Sequence, residues 1–263
     1  FPDVLAEAQA LGYAEADPTF DVEGIDAAHK LTILASIAFG IPLQFDKVYI
    51  EGIGRITRED VAYAEQLGYR IKHLGIARRD ERGAQLRVHP TLIPQRQLLA
   101  SVSGVMNAVL VRGDAVGQSL FYGAGAGAEP TASAVVADII DVVRTLTVDP
   151  DNRVPHLAFQ PDALSDLPVL PMTEVETCYY LRLQAVDRSG VLADVTRILA
   201  DRDISIEAVL QKEPPPGARD VPIILLTYRV REQRMNEAIA AIEALDSIHA
   251  PVVRIRMEHL NSD

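Results

Sequence analysis

The sequence is poor in cysteine and in basic residues. Cys178 is the only cysteine among 263 residues, so the chain cannot form an intrachain disulfide. This composition fits a reducing compartment, and we expect a cytoplasmic protein. The 25 Lys and Arg against 37 Asp and Glu give a net charge of −12, which would repel nucleic acids and anionic membranes. Small molecules and other proteins remain as the expected partners.

The sequence also lacks a long apolar run. No stretch reaches the roughly 18 uninterrupted apolar residues that a membrane-spanning helix needs, so we expect no membrane segment. Residues 1–14 have neither a basic beginning nor an apolar centre, so we expect that they are not a signal peptide. The apolar fraction of 48% and the length of 263 residues instead fit two soluble globular domains.

Prolines mark the boundary between these two domains. Five prolines lie between residues 149 and 174, in a stretch without an extended apolar period. We therefore predict a first domain over residues 1–148, a linker over 149–174 and a second domain over 175–263.

Apolar periodicity predicts an α+β fold. In the first domain it predicts an open, mainly antiparallel sheet with helices, and in the second the βαββαβ order of a ferredoxin-like fold. The predicted helices are 26–39, 58–67, 131–145, 191–201 and 232–244, and the predicted strands are 70–77, 84–88, 106–112, 118–122, 178–186, 204–211, 221–229 and 251–257. Thr57 and Asp60 should form a capping box at the start of the second helix.

Five carboxylates lie within twelve residues at the start of the first predicted helix. They belong to Glu15, Asp17, Asp21, Glu23 and Asp26. On spacing alone a structural interpretation is favoured: Asp26 caps the helix, and Lys30 pairs with it one turn later for about 0.3–0.5 kcal/mol. We predict no metal site, because the acids do not follow a calcium-loop pattern and no histidine or cysteine recurs at ligand spacing.

A longer pattern around these acids resembles the homoserine dehydrogenase family. It runs Ala8-x-x-x-Gly12-Tyr13-Ala14, followed by Asp17-Pro18-x-x-Asp21-Val22-x-Gly24-x-Asp26-x-x-x-Lys30. A gapless run of this length is far more specific than a short motif. The resemblance implies an enzyme that interconverts L-aspartate 4-semialdehyde and L-homoserine, with NADP or NAD as cofactor.

The resemblance also implies roles for individual residues. Lys30 would exchange a proton with the substrate oxygen, directly or through water, and Asp26, on the same helix face, would orient it. Glu15 matches the family's substrate-binding glutamate, and Asp21 would be a second acid for the substrate ammonium. Asp17 and Pro18 are expected to fix a turn.

A glycine run at residues 123–128 matches G-x-G-x-x-A between a predicted strand and a predicted helix. From the residues alone, a tight strand-to-helix turn explains it equally well. The resemblance implies that Gly125 and Gly127 touch the cofactor and that the following helix packs on a dinucleotide-binding domain. In the family that domain precedes the segment where this sequence begins, so we expect this chain not to catalyse alone.

In the second domain, the turn Asp187-Arg188-Ser189-Gly190-Val191-Leu192 resembles that of ACT domains, which bind amino acids. Gly190 by itself would fit an ordinary helix start equally well. The resemblance implies feedback inhibition by threonine at a site that includes Asp187, Gly190 and Gln211. The backbone N–H groups near Gly190 would bind the ligand carboxylate, and Gln211 would face its side chain. It also implies a homo-oligomer, because both kinds of domain usually pair.

Two other functions remain open at this stage. The chain could be an amino-acid-sensing ACT protein without catalysis, or a different nicotinamide enzyme of amino-acid metabolism with an ACT module. The segment from Ala8 to Lys30 favours homoserine dehydrogenase over both.

Overall fold

Strands from both predicted domains join in one sheet in the computed structural model, which describes residues 9–10, 16–146, 148, 154–211 and 220–260. The helices are α1 (Thr19–Val22), α2 (Ile25–Phe39), α3 (Arg58–Gln66), α4 (Ala128–Thr145), α5 (Val191–Ala200) and α6 (Glu232–Glu243). The strands are β1 (Tyr49–Ile50), β2 (Tyr69–Asp80), β3 (Gly83–Pro94), β4 (Met106–Gly113), β5 (Gly117–Ala124), β6 (Glu176–Val186), β7 (Ile206–Gln211), β8 (Asp220–Arg231) and β9 (Val253–Met257). Short 3-10 helices cover Phe45–Lys47, Leu98–Ser101, Pro161–Ala163 and Met172–Glu174.

The second domain has the predicted ferredoxin-like topology. Its four strands are ordered β9-β6-β8-β7 and all pair antiparallel. Helices α5 and α6 pack on this sheet around a core that includes Leu181, Leu183 and Val195. The α+β fold class predicted from the sequence is confirmed.

The two domains are connected through β3 and β9. These strands pair in parallel, with Thr91 opposite Arg256 and Leu92 opposite Met257. Helix α3 of the first domain adds Tyr63 and Ala64 to a shared core with Tyr180 and Leu226 of the second. The domains therefore share a sheet and an apolar core.

Strand β3 is longer than the sequence predicted. The prediction ended at Val88, before the Pro90 that normally interrupts a sheet. Along one edge β3 pairs with β1 at Arg87 and Val88, and then with β9 at Thr91 and Leu92. Pro90 falls between these two ladders, so the strand continues through it while pairing with β2 on its other edge.

The described part of the linker lies against the first domain. The N–H of Ser165 donates to the carbonyl of Gly40 at 2.7 Å. Ala84 of β3 exchanges two 2.8 Å hydrogen bonds, donating to Pro168 and accepting from Leu170. Leu167 and Val169 pack onto the core beneath α2.

One unit of the first domain is set apart from the main sheet. Strands β4 and β5 form their own antiparallel hairpin, and α4 follows it with no buried residue. The unit exposes large apolar side chains: Val109, Val111, Phe121, Tyr122, Val135, Val136, Ile139, Ile140, Val142 and Val143. Among the described residues, no helix has the length and apolarity to cross a membrane.

Candidate functional site

Lys30 and Asp26 form an ion pair on the first turns of α2. The Nζ of Lys30 lies 2.5 Å from Oδ2 of Asp26, at i, i+4 spacing. The side chains are 69% and 36% exposed, so the ammonium can be reached from outside. The N-cap of α2 is Gly24 and no side chain caps it, so the predicted capping role of Asp26 is wrong while the predicted ion pair is present.

The start of α2 is held by close contacts around Gly24. Gly24 has φ +81°, and a Cβ there would stand 2.7 Å from Cε1 of His73 and 3.0 Å from Cγ1 of Val88. The Nε2 of His73 lies 3.0 Å from the carbonyl oxygen of Glu51 and donates to it. Burial lowers the pKa of His73. The ring that packs against the start of α2 is therefore neutral.

The acidic segment before α2 is only partly described. Asp17 accepts hydrogen bonds from the N–H and hydroxyl of Thr19, at 3.1 and 2.6 Å, and they lower the pKa of Asp17. This is the expected turn-fixing role. Asp21 is exposed in α1, which packs against α2. Glu15 lies outside the described residues.

The glycine loop at residues 123–128 makes a tight strand-to-helix turn. The N–H of Gly125 donates to Val105 at 3.0 Å, and a Cβ there would overlap the side chain of Asn107. Gly127 has φ +117° and is the N-cap of the 18-residue α4. Both glycines are thus required by the local backbone, as the structural interpretation predicted. No side chain caps the start of α4.

The three predicted effector residues line one cavity. It has a volume of about 270 Å³ and is lined by residues 186–192 together with Gln211 and Ile223, so it includes Asp187 and Gly190. Gly190 has φ +96° and is the N-cap of α5. A helix N-terminus that opens into a polar cavity can bind a carboxylate through its N–H groups.

A buried charge network at the boundary between the domains was not predicted. Arg182 of β6 donates to Asp60 of α3 at 2.6 Å, Arg256 of β9 to Glu51 at 2.7 Å, and Arg87 of β3 to Glu258 at 2.6 Å. Burial lowers the pKa of Arg256, but Glu232 and the neighbouring acids outweigh it and raise the pKa overall. These side chains are ion-paired inside the protein.

The signal for this network was present in the strand patterns. Arg182 interrupts the apolar strand β6, and Arg254 and Arg256 alternate with Ile255 and Met257 in β9. Alternation places the arginines on the opposite face from the apolar pair, but it does not show that a helix covers that face. Among the described residues, no group of three His, Cys, Asp or Glu is placed to hold a metal ion.

The fold defines a class: an α+β domain with an accessible lysine–carboxylate pair, joined through a shared sheet to a ferredoxin-like domain that has a cavity at the start of α5. Residues 179–247 match the family model of the ACT domain. Residues 1–140 match the model described as homoserine dehydrogenase. The chain belongs to the homoserine dehydrogenase family.

Relatives of known name agree with this assignment. The chain is 70% identical over 261 residues to homoserine dehydrogenase of Pseudomonas aeruginosa and 55% identical over 264 residues to that of Neisseria gonorrhoeae. Each alignment covers 99% of this chain and 60% of the relative, so the chain spans about three fifths of their length. A crystal structure of a homoserine dehydrogenase from Thiobacillus denitrificans is similar with a TM-score of 0.91 and 68% identity, covering 99% of this chain and 59% of that one.

Proposed function

We propose that this chain supplies the substrate-binding and regulatory parts of a homoserine dehydrogenase. The enzyme interconverts L-aspartate 4-semialdehyde and L-homoserine with NADP or NAD. The observation that supports this most is the accessible Asp26–Lys30 pair, which lies in the segment matching the family's pattern.

The proposed role of Lys30 is proton exchange with the substrate oxygen. The cofactor, when bound, takes or gives the hydride. In the reducing direction the aldehyde oxygen becomes an alkoxide, which takes a proton from the Lys30 ammonium or from a water held by it. Asp26, at 2.5 Å, fixes the position of the ammonium. In the oxidising direction the same amine accepts the hydroxyl proton.

Two carboxylates from the segment that precedes this lysine in the sequence would bind the substrate's α-ammonium. Glu15 and Asp21 are the proposed ligands, because charge-assisted hydrogen bonds to a carboxylate are the usual means of holding an ammonium. Asp21 is exposed in α1, which packs on the helix that holds Lys30.

The residues of the glycine loop fit a dinucleotide phosphate. Gly125 and Gly127 have no side chain that would keep a phosphate from the backbone of this turn, and no side chain caps the start of α4. We propose that both glycines contact the cofactor. The exposed aliphatic face of α4 would then pack on the dinucleotide-binding domain that the family resemblance implies.

The ACT cavity would take an amino-acid effector, and we propose threonine. Its carboxylate would bind the N–H groups at the start of α5 near Asp187 and Gly190, with Gln211 facing its side chain. A cavity of about 270 Å³ is near the lower size limit for small-molecule sites, which suits one amino acid.

We further propose a homo-oligomer in the cytoplasm. The β4–β5 hairpin exposes Val109, Val111 and Phe121, and a second copy of the hairpin would cover them. The free, buried thiol of Cys178 fits a reducing compartment.

The test is an assay of the full-length enzyme for homoserine-dependent reduction of NADP or NAD, with and without threonine. We expect turnover with homoserine and inhibition by threonine. Threonine binding without any turnover would instead support an ACT sensor, and turnover with another amino alcohol alone would support a different dehydrogenase.

A further inference from the structure

The guanidinium of Arg256 connects parts of the chain that are far apart in sequence. It donates to Glu232 at the start of α6, at 2.5 and 3.0 Å, and to Glu51 just after β1, at 2.7 Å. The Arg256 side chain is 0% exposed. Removing a partner from a buried guanidinium strongly destabilises the fold. Arg256 therefore fixes the positions of two carboxylates, one from each domain, relative to each other.

Glu51 is in turn attached to the segment that precedes Lys30. The N–H of Ile53 donates to the carbonyl of Val22 at 3.0 Å. Gly52 approaches Val22 so closely that a Cβ would stand 2.8 Å from the Val22 carbonyl oxygen. Because these backbones touch without space between them, a displacement of residues 51–53 must also displace residues 22–24, where α2 begins.

His73 adds a second connection to the same place. Its ring donates to the carbonyl of Glu51 and packs against Gly24, the N-cap of α2. The first turn of α2 holds Asp26. Glu51 is therefore connected to residues 22–24 in two ways: through Gly52 and Ile53, which follow it in the chain, and through His73.

On the other side, Glu232 is coupled to the effector cavity. Gly190 lines that cavity and caps α5, and Val191 and Val195 of α5 share a core with Met235 of α6. Glu232 is the first residue of α6. Ligand binding at the start of α5 can therefore shift α6 and the carboxylate that Arg256 holds.

We propose that Arg256 and Glu51 are positioning residues that transmit the state of the ACT cavity to the segment holding Asp26 and Lys30. The regulatory half of this inference depends on the proposed function. The mechanical half, that Glu51 fixes the start of α2, does not depend on it.

The experiment compares Glu51→Ala with Glu59→Ala in the full-length enzyme. Glu59 is a matched control, because it also pairs with a buried arginine of the ACT domain, Arg182, at 3.0 Å and is half-exposed. It lies on α3, outside the contacts that join residues 51–53 to residues 22–24. Two readouts are taken: hydrogen exchange of the Ile53 and Ala28 amides, and the threonine concentration for half-inhibition.

We expect Glu51→Ala to speed exchange at both amides by about tenfold and to raise the half-inhibitory threonine concentration by about fivefold or more. Glu59→Ala should do neither. Glu51→Gln keeps an acceptor for Arg256 and should restore most of both readouts, which also guards against misfolding of the alanine variant.

Three outcomes separate the parts of this inference. Equal exchange in the two alanine variants would overturn the link between Glu51 and α2, whatever the enzyme's activity. Faster exchange with unchanged inhibition would overturn the regulatory role. If the wild-type enzyme does not turn over homoserine, the proposed function is overturned. The hydrogen-exchange data would still show whether Glu51 fixes the start of α2.

Discussion

The Nε of Arg182 donates to Oδ1 of Asp60 at 2.6 Å, joining strand β6 of the ACT domain to helix α3 of the first domain. Asp60 is also the N3 residue of the capping box begun by Thr57. Burial would raise the pKa of Asp60, but its hydrogen bonds with Arg182 and Thr57 outweigh this and lower it. One carboxylate thus starts a helix and pairs a charge across the domain boundary.

We predict that Asp60→Ala lowers the free energy of unfolding by about 3–5 kcal/mol, because it leaves Arg182 buried without its main partner. Glu59→Ala removes the half-exposed second partner of the same arginine and should cost less than about 1 kcal/mol. Urea unfolding of both variants measures the difference. Equal losses in the two variants would mean that the buried Asp60–Arg182 pair stabilises the fold no more than the half-exposed Glu59–Arg182 pair does.

A pH dependence is predicted from His89, which is fully buried. Its Nε2 accepts from Arg87 at 2.9 Å and its Nδ1 donates to the carbonyl of Pro90 at 3.0 Å. Burial, reinforced by Arg256 and Arg87, lowers the pKa of His89 well below 6.5. The folded state therefore keeps the ring neutral at pH values where the unfolded chain protonates it.

Because the unfolded state binds the extra proton, stability falls as the pH falls below about 6.5 and is fully present above it. The expected loss for this group is about 1.4 kcal/mol per pH unit. Unfolding free energies at pH 7.5 and 5.5 measure it, with His89→Gln as the comparison. The prediction fails if the variant shows the same pH slope as the wild type.

Sequence patterns predicted most elements but not the way the domains join. The capping box at Thr57 and the βαββαβ order follow from local spacing, which is why both are found as predicted. The pairing of β3 with β9 depends on residues more than 160 positions apart, such as Thr91 and Arg256. Local periodicity contains no information on such a contact.

In the candidate sites too, contacts between residues close in sequence were predictable, whereas a contact between the two domains was not. Lys30 and Asp26 lie four residues apart, so helix geometry alone brought them together. Gln211 reaches the cavity beside Gly190 because the predicted fold places the end of β7 near the start of α5. The Arg256–Glu51 pair joins two domains, and neither residue type nor spacing in either segment indicates its partner.

In the full-length enzyme, Lys30→Ala is predicted to reduce kcat by about 10²–10⁴-fold, the usual contribution of a positioned proton donor. Its side chain is 69% exposed, so the free energy of unfolding should change by less than about 0.5 kcal/mol. Lys47→Ala is the control, since Lys47 is another exposed lysine, bonded to Gln44 at 2.6 Å. Turnover that survives Lys30→Ala as well as it survives Lys47→Ala would remove Lys30 from the reaction.

The effector site is tested by adding a side chain at Gly190. Gly190 and Gly68 have φ values of +96° and +81°, and at both a Cβ would meet nothing within 4 Å. Leucine at either position therefore costs a similar backbone strain, about 1–2 kcal/mol. Only Gly190 lines the ACT cavity, so Gly190→Leu should raise the half-inhibitory threonine concentration by about tenfold or more, whereas Gly68→Leu should leave it unchanged. If threonine inhibits both variants equally, the effector binds elsewhere. The two variants carry a similar backbone strain, so a difference in inhibition can come only from the leucine side chain at the cavity.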